Sequence, residues 1–362
     1  MAKSATHKKL VGLAEDVVKI IGRKQNPGVD IPVRALSNVS FNEKKKIIEL
    51  GKEMQTRTFF NVTMAKRFMQ TFLVADACRE LIEAGKTTSI RDLYYMTKHT
   101  IGDSDENTFD EQEESDPIIE DLEVTISSLR EELNLFASNR GAMVGEITVV
   151  DGGDTIDLRH LGTGGWSIPS IVEQDVIQFR KCAAKFVLMV EKDAVWRRLN
   201  EDKFWKEHRC ILMHGQGMAP RGARRLLHRL HHELGLPVYV LVDNDPWGLY
   251  IFSVLKQGSI NLAFESMRMA VPGARFLGLS SYDAHKFKLG KNVSIKLNAQ
   301  DIGRAKQILG YPWFQKPTWQ EELKQMLANG VKYELEALSG KGISFITESY
   351  IPKKLKSKDW LE

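Results

Sequence analysis

Cysteine is scarce in this chain. Cys78, Cys182 and Cys210 stand far apart in 362 residues and form no Cys-x-x-Cys pair. A disulfide framework is excluded, and a structural zinc site is not expected. Long apolar runs are also missing: no stretch approaches the ~20 residues of a membrane-spanning helix. The start, Met1-Ala-Lys-Ser-Ala-Thr-His-Lys-Lys9, has no apolar signal segment, so a cytoplasmic protein with no membrane partner is expected. No Walker A loop occurs, which removes one common ATPase site. No internal repeat is found. Net charge is small, at +4, but it is unevenly distributed. From Asp103 to Glu123 there are eleven acids and no Lys or Arg, and the rest of the chain carries +15. That background suits a polyanionic partner.

What is present is a 43% apolar composition and enough length for two or three domains with their own cores. Residues 8–21 place Leu10, Ala14, Val17, Val18 and Ile21 on one helical face, ended by Gly22 and Pro27-Gly28. Such a helix either docks on a partner or packs on its own domain. A β-rich piece follows, with a strand at 46–50. Asn61 caps a helix that runs to Ala84. Ser89-Ile-Arg-Asp92 opens another, and the pair fits a helix-turn-helix. Residues 103–116 read as a solvated acidic loop, and Asp116-Pro117 begins a further helix. A strand is expected over 143–150. From there strands at 186–190, 209–213 and 238–242 alternate with helices at 193–200, 221–234 and 247–256. That order predicts a parallel sheet flanked by helices. A helix at 317–329 and a strand at 343–347 complete the reading. The expected domains are an N-terminal lead-in over 1–60, a helical domain over 61–145 and an α/β domain over 146–362.

In a parallel α/β sheet, ligands gather beyond the carboxyl ends of the strands. Glu191 follows the first strand there, and Asp243 and Asp245 follow the third. Asp243 or Asp245 could instead be a helix cap. Three carboxylates on one rim repel unless a cation lies between them, and hard oxygen ligands suit magnesium. Lys192 and Asp193 read as helix-start residues. His214-Gly-Gln-Gly217 ends the middle strand, with Arg221 and Arg224 in the next helix. Gly215 and Gly217 let a backbone approach phosphate, although a tight strand-to-helix turn uses the same glycines. In the helix near Ile90, the residues Ile90, Leu93, Tyr94 and Thr97 form the buried face. Tyr95 lies about 100° round the helix and should be exposed, with Arg91 one turn before it. A tyrosine can act as a covalent nucleophile.

At Arg91-Asp-Leu-Tyr-Tyr95, Val190-Glu-Lys-Asp-Ala-Val195, Gly215-Gln-Gly217, Val242-Asp-Asn-Asp-Pro-Trp-Gly248 and Leu277-Gly-Leu279 the chain resembles the A subunit of archaeal type IIB DNA topoisomerase. It is also similar to the related eukaryotic protein that makes meiotic double-strand breaks. The motifs occur in the family's order over nearly the whole chain. The resemblance implies a winged-helix domain with Tyr95 as nucleophile and Arg91 beside it. It also implies a Toprim domain in which Glu191, Asp243 and Asp245 hold Mg2+. It further implies double-stranded DNA as substrate, a separate ATPase B subunit, and a homodimer of this chain within an A2B2 heterotetramer at the nucleoid. Two other readings of the residues remain open here. One is a Toprim primase- or nuclease-like enzyme without tyrosine chemistry. The other is a non-catalytic winged-helix DNA-binding protein.

Overall fold

Ser4 opens helix α1 (Ala5–Gly22) by accepting the His7 amide at 3.1 Å in the computed structural model, which describes residues 4–362. Contacts divide the described chain into two units. The first holds residues up to Val39 together with Leu50–Ser138; the second holds Ser40–Glu49 and Asn139–Glu362. In the first, Leu10 of α1 is buried with Val74, Ala75 and Cys78 of α2 (Val62–Ala84), so α1 packs on its own unit. Val18 and Ile21 of the same helix stay exposed. Strand β1 (Gly28–Pro32) pairs antiparallel with β4 (Met54–Thr58). Between them β2 (Val39–Asn42) and β3 (Ile47–Leu50) form a hairpin, most of which belongs to the second unit.

Asn61 caps α2 by accepting the Thr63 amide at 3.0 Å, and Gly85 ends it. After β5 (Thr88–Ser89), the Ser89 hydroxyl accepts the Asp92 amide and starts α3 (Ile90–Thr97). Two helices joined by a short turn are therefore present as expected. The strand element beside them is a two-residue parallel pairing of β5 with β6 (Leu135–Phe136). The acidic stretch is a loop, but it is not simply solvated. Phe109 is fully buried, and Gln70 Nε2 donates to the Thr108 carbonyl at 2.8 Å. One aromatic residue gives the loop an anchor that its charge conceals. Helix α4 (Ser115–Thr125) follows.

In the second unit the single strand expected over 143–150 is two. The chain breaks at Glu146, sending β7 (Ala142–Gly145) into one sheet and β8 (Ile147–Asp151) into another. Strand β8 lies between β9 (Asp154–Asp157) and β11 (Ile177–Cys182), antiparallel to both. The larger sheet has the order β10-β7-β13-β12-β14-β15, built from β10 (Trp166–Ser167), β12 (Val187–Val190), β13 (Ile211–His214), β14 (Val238–Leu241) and β15 (Arg275–Gly278). Its last four strands are parallel; β7 runs antiparallel to β13, and β10 antiparallel to β7. Every residue of β12, β13 and β14 is buried, as befits strands covered on both faces. Helices α5 (Asp193–Glu201), α6 (Phe204–Glu207), α7 (Arg221–Leu234) and α8 (Pro246–Gln257) follow these strands. The strand expected at 343–347 is instead helical, entering the turn Ile346–Tyr350 and the helix Ile351–Ser357. Ile346, Thr347, Tyr350, Ile351 and Lys354 are the buried residues there, at helical rather than alternating spacing.

Candidate active site

The register aligns Val190 of β12 with His214 of β13 and Leu241 of β14, so three carboxyl ends form one rim. Glu191 and Asp243 meet on it: the Asp243 amide donates to Glu191 Oε2 at 3.1 Å. Asp243 is 6% exposed, and its Oδ1 accepts the Leu335 amide at 2.8 Å. Asp245 opens α8 by accepting the Gly248 amide at 2.6 Å, with Pro246 in the first turn. Both readings of Asp245 thus bear on one residue, for it is a helix cap within the electrostatic reach of Asp243 and Glu191. Among the described residues, no three carboxylate, imidazole or thiolate groups are gathered closely enough to hold a metal ion as they stand.

Burial pushes the Glu191 carboxyl up to about 7, and neighbouring Asp243 adds to the rise. Burial likewise raises Asp243 to about 6, although the Leu335 amide and Lys192 oppose it. Asp245 is raised too, again chiefly by burial. Desolvated negative charge concentrated on hard oxygen atoms is the environment a divalent cation relieves, so the donor set fits such an ion.

Sequence reasoning missed the cation already there. Lys192 Nζ lies 2.9 Å from Asp243 Oδ2, 2.8 Å from Glu336 Oε2 and 3.4 Å from Glu334 Oε2. Burial alone would lower this ammonium, but its bonds to Glu336 and Asp243 prevail and raise its pKa. The segment carrying those glutamates is fastened to the rim by the paired backbones of Asn244 and Tyr333, at 2.8 and 3.2 Å. Adjacency to Glu191 was a signal for Lys192. Nothing local marked Glu334 or Glu336.

The glycine turn is also tied to the rim, since the Gly217 amide donates to the Glu191 carbonyl at 2.9 Å. A side chain on Gly215 would place its Cβ 2.7 Å from the Ala219 Cα, so close backbone packing requires glycine there. The two arginines expected to face phosphate are occupied inside the protein. Arg221 pairs with buried Glu265 at 2.8 Å, and Arg224 is only 5% exposed. Helix α7 turns both toward its packed side, a choice that its position after a glycine turn does not reveal. His214 is buried against Trp196, and burial lowers its imidazole pKa.

In the first unit, α3 separates the two tyrosines. Tyr94 is 6% exposed and Tyr95 60%. The Tyr94 hydroxyl donates to the Asp110 carbonyl at 3.0 Å and accepts from Lys98 Nζ at 3.0 Å. Tyr95 presents its ring to solvent, and Arg91, four residues before it on the same helix, is exposed as well.

A family model for the Toprim domain of the topoisomerase 6 A subunit and Spo11 matches residues 186–355. A second, described as "Type IIB DNA topoisomerase", matches 66–135. A third, "All-beta domain in DNA topoisomerase VI alpha subunit", matches 139–183 and so covers β7 to β11. Among curated proteins, the chain is 43% identical to the type 2 DNA topoisomerase 6 A subunit of Pyrococcus abyssi, over 96% of this chain and 93% of that one. It is 42% identical to the Hyperthermus butylicus protein of that name, over 96% and 94%. It is 33% identical to that of Methanocaldococcus jannaschii, over 98% and 95%.

Proposed function

Because the chain belongs to the family of type 2 DNA topoisomerase 6 A subunits, we propose that Tyr95 is its nucleophile and that Glu191, Asp243 and Asp245 hold its divalent ion. The activity is that of a type IIB DNA topoisomerase, in which this chain is the DNA-cleaving component. The observation that carries the residue assignment is the contrast within α3: one tyrosine hydroxyl is engaged by Asp110 and Lys98, while its neighbour is offered to solvent.

The reaction is a transesterification. The Tyr95 oxygen bonds to a backbone phosphorus of duplex DNA as the bond to the 3′ oxygen breaks. The phenolic proton passes to solvent, and the departing oxygen takes one up to become a 3′ hydroxyl. The DNA is left on the protein through a 5′-phosphotyrosyl ester. Arg91 steadies the phosphate or the phenolate. Mg2+, when bound by the three acids, supplies positive charge against the phosphate and the 3′ oxygen. The ester conserves the phosphodiester energy, so resealing is the same step reversed and uses no ATP.

In this reading α2 and α3 belong to a winged-helix domain over 61–145, after a lead-in over 1–60, and the metal acids lie in the Toprim region within 146–362. The Gly215–Gly217 turn lies beside the acids as a place for a phosphate backbone to approach. Cutting both strands takes two copies of this chain, and an ATPase B subunit completes an A2B2 assembly working at the nucleoid in the cytoplasm. Incubation with supercoiled duplex, the ATPase partner and magnesium, followed by denaturant and protease, tests the reading. Protein covalently attached to 5′ ends supports it. Cleavage with free 5′ phosphates and no adduct would overturn the tyrosine chemistry.

A further inference from the structure

Lys192 joins two groups of carboxylates on different parts of the chain. One is Asp243 on the rim. The other is Glu334 and Glu336, on a segment already fastened to the rim by the Leu335 amide on Asp243 and by the Asn244–Tyr333 backbone pair. Lys192 is 24% exposed, and Glu334 and Glu336 are about half exposed at 53% and 44%. Two of the three carboxylates around the ammonium lie off the rim, so losing Asp243 would still leave it Glu334 and Glu336 as partners. A divalent ion arriving at Asp243 would face a positive charge 2.9 Å from the oxygen it needs, and repulsion between the two favours that loss.

Resting on the reading of Glu191, Asp243 and Asp245 as the ion site, we propose that Lys192 is the built-in counter-charge of the rim. It neutralises Asp243 while no divalent ion is bound, and Glu334 and Glu336 receive it when one binds. Lys192 is thus a positioning residue. It sets how tightly the ion is held and couples ion binding to the 334–336 segment.

The test is calorimetric titration of the full chain with MnCl2 and with MgCl2. Lys192→Met removes the competing charge and is expected to tighten ion binding about three- to tenfold. The same variant should melt at a lower temperature than wild type in chelator, because Asp243 loses its partner. Lys192→Arg, which keeps the charge, should restore near-wild-type affinity. Glu336→Gln and the Glu334→Gln/Glu336→Gln pair remove the second berth and should weaken the ion by a similar factor. These glutamates are exposed enough for the variants to fold, so their result stands even if Lys192→Met is unstable. A lysine that merely holds the fold would weaken binding in both sets. Weakening by Lys192→Met, or unchanged affinity in the glutamate variants, overturns the proposal while leaving the ion site intact. If wild type gives no binding heat and no ion-dependent shift in melting, the ion-site reading fails and the proposal falls with it.

Discussion

The rings of Tyr94 and Tyr95 meet edge to face with centroids 5.0 Å apart, yet their hydroxyls have opposite fates. That of Tyr94 is held by Asp110 and Lys98; that of Tyr95 is on an exposed side chain. Tyr95→Phe should fold and bind DNA but form no covalent adduct. Tyr94→Phe should still cleave, with a stability loss of about 1 kcal/mol from the missing hydrogen bonds. Adduct trapping and thermal melts read both. Adducts from Tyr95→Phe but not from Tyr94→Phe would reverse the assignment.

The rim acids make a second prediction. Glu191→Ala, Asp243→Ala and Asp245→Ala should each reduce cleavage by orders of magnitude, since each removes an oxygen ligand from the ion. Asp245→Ala should also destabilise the chain, by about 1 kcal/mol, because the Gly248 amide loses its cap. Wild-type cleavage by all three variants in chelator would exclude an ion at this rim.

Stability should depend on pH through Glu191. Its folded pKa, about 7, lies above the ordinary 4.5. An acid raised on folding favours the folded state below its unfolded value, and that contribution is lost as pH rises through the folded value. Without divalent ions, Glu191→Gln should therefore gain on wild type between about pH 4.5 and 7.5, by about 3 kcal/mol at the upper end. Denaturant melts of the two proteins across that range provide the check. A difference that does not change with pH would show that Glu191 is not buried as described.

Gly248 is the last residue of the Val242–Gly248 motif, and its role is steric. A Cβ there would lie 2.4 Å from the Asp243 carbonyl oxygen. Gly248→Ala must push α8 away from the rim, costing about 1–3 kcal/mol and weakening ion binding together with stability. An alanine variant with unchanged melting and ion affinity would contradict the close approach.

The purified chain alone should hydrolyse no ATP, and duplex passage should appear only with an ATPase partner. Phosphate release measured after exhaustive purification decides this. Turnover by the chain alone would mean that an ATP site exists outside any Walker A pattern.

Much of this protein is determined by local sequence. Helical periodicity separated Tyr94 from Tyr95, because four residues on one face of α3 fix which ring is buried. Three short apolar runs followed by turn residues located three of the four parallel strands, leaving β15 unread, and position after a strand end put Glu191 and Asp243 on one rim. Other features arise only when distant segments meet. Residues 143–150 look like one strand, but β7 and β8 part because two different sheets take them. Residues 343–347 are β-branched and apolar, yet burial of Ile346, Tyr350 and Ile351 makes the segment helical. Arg221 looked free for phosphate until Glu265, more than forty residues away, claimed it. Lys192 looked like the start of a helix until folding brought Asp243, Glu334 and Glu336 to its ammonium. Local sequence determines periodicity and strand ends because those are short-range properties of the backbone. Tertiary structure alone decides how Lys192 and Arg221 are paired, since their partners are side chains that the chain brings together from far apart.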